Sequence, residues 1–217
     1  DGSFYRFGEI QKNQEIADLL ENIAEQGVDY FYKGKVAKQI VDLINDRGGC
    51  FDVSDMESYE PKFREPVKTT YRGYEVAAFA PPSGGCALVE MLNILENYDV
   101  RSMGHNTAAS IHALTESMKL GFADRSVALG DPDFVNVDVE RLTSKKFAHE
   151  RFTLAGEKAG EFASADGIEA KQYPGNTSHF VVMDKDGNAF SQTQTIRDWF
   201  GCGIVVDGLG FVLNNAM

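Results

Sequence analysis

Threonine is a weak nucleophile at neutral pH unless a base sits beside its hydroxyl. A threonine at the start of a chain carries that base itself, because its free α-amino group, with an ordinary pKa of about 7.7 to 8.0, lies within reach of its own Oγ1. The run Gly175-Asn176-Thr177-Ser178-His179-Phe180 is where this chain could make such a residue, since a polar, acid-rich stretch ends there against residues of β character. Cutting the Asn176–Thr177 bond would free the amine. Left uncut, Thr177 and Ser178 simply open a strand, a common place for a β-branched residue. Thr195 lies eighteen residues further on, beyond the turn residues Asp184-Lys185-Asp186-Gly187-Asn188. Two antiparallel strands joined by such a turn bring their far ends side by side, so Thr177 and Thr195 would share one small space.

The elements that must position these residues are legible from periodicity. Ile10, Ile16, Leu19, Leu20 and Ile23 recur at three- and four-residue steps and predict a helix from Glu9 to Gln26, closed by Gly27. Val36, Ile40, Val41, Leu43 and Ile44 predict a second, running to Gly48-Gly49. Ser54-Asp55-Met56-Glu57 has capping-box spacing and marks a short helix. Val67 to Tyr71 and Tyr74 to Phe79, split by Arg72-Gly73, read as a hairpin that Pro81-Pro82-Ser83-Gly84-Gly85 stops. Helices follow over Leu88, Leu92 and Leu95, over Ile111, Leu114, Met118 and Phe122, and near Val139 to Leu154. The fold class is α+β: residues 1–155 mostly helical, 156–176 an exposed, flexible connector, and 177–217 the start of a sheet. Its strands are Ser178 to Met183, Ala189 to Thr195 and a shorter Gly203 to Val206.

Composition bounds the partners. With 21 basic and 33 acidic residues the net charge is −12, which repels phosphate backbones and argues against nucleic acid. No run of about 18 apolar residues predicts membrane insertion. Cys50, Cys86 and Cys202 form no CxxC pair. The Asp184–Asn188 stretch has a calcium-loop flavour, but an EF-hand needs about twelve residues, a closing glutamate and flanking helices, so a hairpin turn is expected. His112 and Glu116, one helical turn apart, lack a third zinc ligand and read as a structural or surface pair. Asp124-Arg125 fits an interior ion pair or a helix-end contact. His179 shares a strand face with Thr177, either supporting it or packing in a core. Gly84-Gly85 could open a helix, yet no lysine follows and it is no P-loop. No metal or organic cofactor is expected.

The run Asn176-Thr177-Ser178-His179-Phe180, followed by Asp184-Lys185-Asp186-Gly187-Asn188-Ala189, resembles the autoprocessing site of the γ-glutamyltranspeptidase family of N-terminal-nucleophile hydrolases. Tyr71 to Val76, Pro81 to Gly85, Leu92 to Glu96, Phe122 to Ser126, Leu129 to Phe134 and Leu213 to Met217 match the family in order. The resemblance implies a four-layer αββα sandwich, of which this chain is a middle portion spanning the boundary between large and small subunits. It implies that Thr177 attacks the carbonyl of Asn176, shifts the chain to an ester and, after hydrolysis, becomes the catalytic nucleophile, with Thr195 hydrogen-bonded to it. The implied activity is acyl transfer or hydrolysis of γ-glutamyl amides such as glutathione. A related acylase, an enzyme acting on poly-γ-glutamate, or a non-catalytic unprocessed fragment are the alternatives. The implied partners are a small γ-glutamyl or other amide substrate and the remaining segments of the same enzyme, in a periplasmic, secreted or cell-surface location. Two departures bear on substrate. Arg197 stands where the family usually has asparagine and Ala216 where it usually has glutamine, at positions implied to touch the glutamyl amino end. A guanidinium there suits an anion, so Arg197 is expected to bind substrate. Because the implied oxyanion-hole glycines lie outside these residues, the 217-residue chain reads as a fragment that does not turn over substrate alone.

Overall fold

The computed structural model describes residues 5–167 and 176–216. In chain order its elements are α1 (Gln14–Gln26), α2 (Asp29–Tyr32), α3 (Gly34–Asp46), α4 (Val53–Glu57), β1 (Val67–Tyr71), β2 (Tyr74–Ala78), α5 (Gly85–Leu95), α6 (Val100–Met103), α7 (Ala108–Ala128), α8 (Val139–Thr143), α9 (Lys145–Phe152), β3 (Asn176–Met183) and β4 (Ala189–Arg197). They fall into two compact units, Asp1–Pro61 with Pro174–Met217, and Lys62–Tyr173.

In the first unit, α1 begins later than its apolar pattern suggests. The Asn13 side chain accepts from the Ile16 amide at 3.1 Å and so fixes the first turn, leaving Ile10 outside and exposed. α4 is capped two residues upstream of Ser54: Asp52 Oδ1 accepts from the Ser54 amide at 2.9 Å, and Asp55 Oδ2 accepts from the Asp52 amide at 2.8 Å. A carboxylate is a stronger acceptor than a serine hydroxyl, which explains the shift. The core joins Leu19 of α1, Val36, Ala37, Ile40 and Val41 of α3 and Met56 of α4 to Val206 and Leu209, at least 150 residues away in sequence. Burying each of these larger aliphatics contributes about 2 kcal/mol. Polar contacts finish the attachment: Gln39 Nε2 donates to Asp207 O at 2.5 Å and Asn13 Nδ2 to Gly210 O at 2.6 Å. The segment after β4 is therefore anchored on α1 and α3. Gly203–Val206 is not a strand; Val205 makes one isolated bridge to Val212.

The second unit opens with the β1–β2 hairpin, in full register from Val67↔Ala78 to Tyr71↔Tyr74. Both turn residues, Arg72 and Gly73, have positive φ, as a two-residue turn matching strand twist requires. α5 starts at Gly85, where a Cβ would lie 1.9 Å from Phe79 O. α7 reverses the expectation from its sequence. The stripe of Ile111, Leu114, Met118 and Phe122 is 39–52% exposed, while Ala113, Glu116, Ser117, Leu120, Gly121, Ala123 and Asp124 are buried. Size decides the face: a Cβ at Gly121 would come within 2.6 Å of Met91 Cγ, so only the small-residue seam lets α5 approach this closely.

That seam carries charge. Asp124 Oδ2 lies 2.7 Å from Arg151 Nε, in contact but not aligned as a hydrogen bond, and Asp124 Oδ1 accepts from the Ala165 amide. Asp124 thus pairs with Arg151, and Arg125 instead lies over the Phe122 ring. Residues 156–167, the described part of the expected connector, are laced to the helices. Gly156 O meets His112 Nε2 at 2.8 Å, the Gly160 amide donates to Glu116 Oε2 at 2.9 Å, and Arg151 Nη2 donates to Ala163 O at 2.7 Å. Residues 168–175 of that connector lie outside the described residues.

Glu90 of α5, 1% exposed, sits beside Asp124. Burial first, and the Asp124 carboxylate second, push its pKa from 4.5 up to about 10, against the opposing pull of Arg151 and Arg141. Folding therefore binds a proton between these two values, and stability is fully present below the lower one and declines as pH rises toward the upper one. Glu90→Gln should remove this dependence. Urea midpoints of the two proteins should diverge in favour of the variant from pH 6 to pH 9, by up to about 1.4 kcal/mol per pH unit. Parallel curves would contradict a neutral Glu90.

Candidate active site

The β3–β4 hairpin draws on the β-branched Thr177, Val181, Val182, Thr193, Thr195 and Ile196 around a self-closing turn. Asp184 Oδ1 accepts from the amides of Asp186 and Asn188, both at 2.9 Å, and Asn188 Nδ2 donates to Asp184 Oδ2 at 2.8 Å. The Asn188 side chain and amide hold the Asp184 carboxyl below the usual carboxylate range. Its oxygens are thus spent on the turn's own donors. Among the described residues no group of three acidic, histidine or cysteine side chains is placed to hold a metal. Phe180 and Phe190, diagonal across the ladder, bring their rings to 5.9 Å.

Register is regular from Met183↔Ala189 to Ser178↔Gln194 and then slips, so that Asn176 faces Arg197. Two residues of β4, Thr195 and Ile196, thereby oppose the single Thr177, and the strand closes at Arg197 with φ 75°. The slip gives the Thr195 hydroxyl two partners. It donates to Asn176 O at 2.5 Å and accepts from the Arg197 amide at 2.7 Å. The carbonyl so engaged belongs to the Asn176–Thr177 bond. Sequence spacing brought Thr177 and Thr195 opposite one another; the bulge aims Thr195 at the carbonyl instead.

His179 is held from β4, with Nδ1 2.7 Å from Thr193 Oγ1 and Nε2 3.3 Å from Ser191 Oγ. Both ring nitrogens face hydroxyls of the partner strand, which orients the imidazole as a cross-strand brace. Three further residues shape the site through contacts that the sequence did not signal. Asn215 Nδ2 donates to Asp198 Oδ2 at 2.6 Å, while the Asp198 amide donates to Asn215 Oδ1 at 3.2 Å. This reciprocal clamp ties the end of β4 to the run before Met217. Gly201 passes so close to that run that a Cβ would sit 2.0 Å from Leu213 O, at φ 54°. Asn214-Asn215 was visible as a paired-asparagine run, but its partner lies seventeen residues away. The Ala216 amide donates to Asn214 Oδ1 at 2.9 Å; Met217 lies outside the described residues.

The sequence pattern of the family described as Gamma-glutamyltranspeptidase matches residues 1–217. The chain belongs to the γ-glutamyltranspeptidase family. It is 39% identical over 223 residues to the "Glutathione hydrolase proenzyme" of Escherichia coli (strain K12), covering 100% of this chain and 38% of that protein. It is also 39% identical over 204 residues to the "Acylase ACY 1 proenzyme" of Pseudomonas sp. (strain SE83), covering 94% of this chain and 36% of that protein. Among solved structures it is similar to the cephalosporin acylase from Bacillus halodurans, with a TM-score of 0.83 at 32% identity, over 97% of this chain and 37% of that one. The chain thus spans a little over a third of the length of these γ-glutamyltranspeptidase-family relatives. Its mixture of helices and strands is that of the corresponding part of the acylase.

Proposed function

We propose that Thr177 is the nucleophile of an amide-directed hydrolase or acyltransferase and that it is exposed by self-cleavage of the Asn176–Thr177 bond. The observation that carries this reading is the 2.5 Å hydrogen bond from Thr195 to the carbonyl of Asn176. In the cleavage step Thr177 Oγ1 bonds to the Asn176 carbonyl carbon, the oxygen takes negative charge, and the C–N bond breaks with its nitrogen gaining the hydroxyl proton. A donor already seated on that oxygen stabilises the charge as it develops. Water then hydrolyses the ester, leaving a carboxylate on Asn176 and a free hydroxyl and amine on Thr177. The amine serves as base when the same hydroxyl attacks a substrate amide, and the acyl-Thr177 ester passes to water or to an acceptor amine.

The relatives named as proenzymes support a processing step, and the glutathione hydrolase name supports γ-glutamyl amides such as glutathione as substrates. The acylase relatives favour a second reading, cleavage of other amides by the same nucleophile. Both use Thr177 and Thr195 in the same roles. All eight residues of β3 are exposed, which supports placing the hairpin inside a larger sheet, as in a four-layer αββα sandwich with 177–217 opening the small subunit. Intact mass and amino-terminal sequencing test the reading. Two pieces are expected, the second beginning Thr177-Ser178-His179. A single uncut species in the protein expressed at the full length its gene encodes would overturn it.

A further inference from the structure

Arg197 has φ 75°, and across it the Asp198 amide donates to Ile196 O at 3.2 Å, so β4 closes in a three-residue γ-turn of the rare, strained form. A side chain-bearing residue keeps such a conformation only where its surroundings enforce it. Asn215 grips the turn on both sides. Its amide donates to Ile196 O at 3.3 Å, its Nδ2 donates to Asp198 Oδ2 at 2.6 Å, and its Oδ1 accepts from the Asp198 amide at 3.2 Å. A carboxamide can do this because it carries a donor and an acceptor on one carbon. Asn215 is in turn held by the core of its own unit. The Leu213 amide donates to Ile204 O at 2.9 Å, Leu213 O accepts from the Cys202 amide at 3.1 Å, and the Val206 amide donates to Phe211 O at 3.1 Å, with the Val206 side chain fully buried in the cluster that α1 and α3 form. On its other side the turn meets the site. The Arg197 amide donates to Thr195 Oγ1 at 2.7 Å, and that hydroxyl donates to Asn176 O at 2.5 Å.

We propose that Asn215 is a positioning residue for self-cleavage: by clamping Ile196 and Asp198 it enforces the turn at Arg197, and that turn aims the Thr195 hydroxyl at the carbonyl before Thr177. This rests on the reading of Thr177 as nucleophile. Asn215 touches neither reacting atom, and its effect is geometric, since a misplacement of about 1 Å at a reacting centre costs up to about 100-fold in rate. The clamp also has a chemical polarity. One partner brings an N–H donor and the other a charged acceptor, the stronger kind of hydrogen bond. Asn215→Asp sets a second carboxylate against Asp198 and removes the donor. The double exchange Asp198→Asn with Asn215→Asp restores both contacts with the roles reversed: the amide donor then stands on residue 198, and the carboxylate on residue 215 accepts from it and from the backbone amide of residue 198.

The test follows, by mass spectrometry, conversion of the precursor to two pieces in the protein expressed at the full length its gene encodes. Asn215→Asp should lengthen the half-time by about tenfold or more, and the double exchange should return it to within about threefold of the parent. Coupling supplies the readout that a mere loss of stability would not give. In a Thr195→Val background Asn215→Asp should slow conversion by less than about twofold further, because the hydroxyl it positions is already gone. Parental kinetics in Asn215→Asp, or the same slowing with and without the Thr195 hydroxyl, overturns this inference alone. So does a double exchange that stays as slow as Asn215→Asp while its circular dichroism matches the parent. Parent protein that does not cleave itself overturns the nucleophile assignment as well.

Discussion

Thr177→Ala should leave the Asn176–Thr177 bond intact and abolish amide cleavage. Both effects follow from one atom, Oγ1, which is the attacking group in processing and again in catalysis. Alanine keeps the backbone of β3, whose ladder with β4 is made of main-chain pairs on either side of residue 177, so the variant should fold. Mass spectrometry would show one full-length species where the active protein gives two, and turnover of any amide should fall to background. Thr177→Ser separates chemistry from folding, since it keeps a hydroxyl at the same position and should still process, more slowly for want of the stiffening γ-methyl. Cleavage at the same bond in Thr177→Ala would mean that another group attacks the Asn176 carbonyl, and the assignment would fall.

The second large effect is expected at Thr195. Its hydroxyl donates to Asn176 O and accepts from the Arg197 amide. Thr195→Val keeps shape and branching while removing both hydrogen bonds, so the half-time of precursor conversion should lengthen by about 100- to 1,000-fold, the usual consequence of losing one oxyanion donor. Thr195→Ser should stay within about tenfold of the parent because it restores the donor. Processing of the valine variant at the parental rate would show that the hydrogen bond to the scissile carbonyl is not used in the reaction. Far-ultraviolet circular dichroism alongside the time course distinguishes slow chemistry from a hairpin that has lost its bulge.

The parts of the fold that were legible are those that short-range physics decides. Helical periodicity located α1, α3, α5 and α7, and the Arg72-Gly73 and Asp184–Asn188 turns located both hairpins, because spacing and turn chemistry act within a few residues. Short helices without a full apolar period, α2 and α6, left no trace. The eighteen-residue spacing of Thr177 and Thr195, with the segments that resemble the family, was enough to nominate a nucleophile and its neighbour.

Which face of an element is used was decided elsewhere. The sequence alone determined that α7 is a helix with an apolar stripe, but tertiary packing buried its small and charged side, because close approach to α5 rewards small volume at Gly121 over hydrophobicity at Met118. It determined that Thr195 lies near Thr177, but the bulge turned that hydroxyl onto the Asn176 carbonyl and left Arg197 in a strained conformation beside it. It offered Asp124-Arg125 as an interior ion pair or a helix-end contact and gave no sign of Glu90, whose neutral state follows from burial beside Asp124. The Asp198–Asn215 clamp was equally silent. In each case the deciding term is a contact between residues far apart in the chain, whose distance and burial no local pattern encodes.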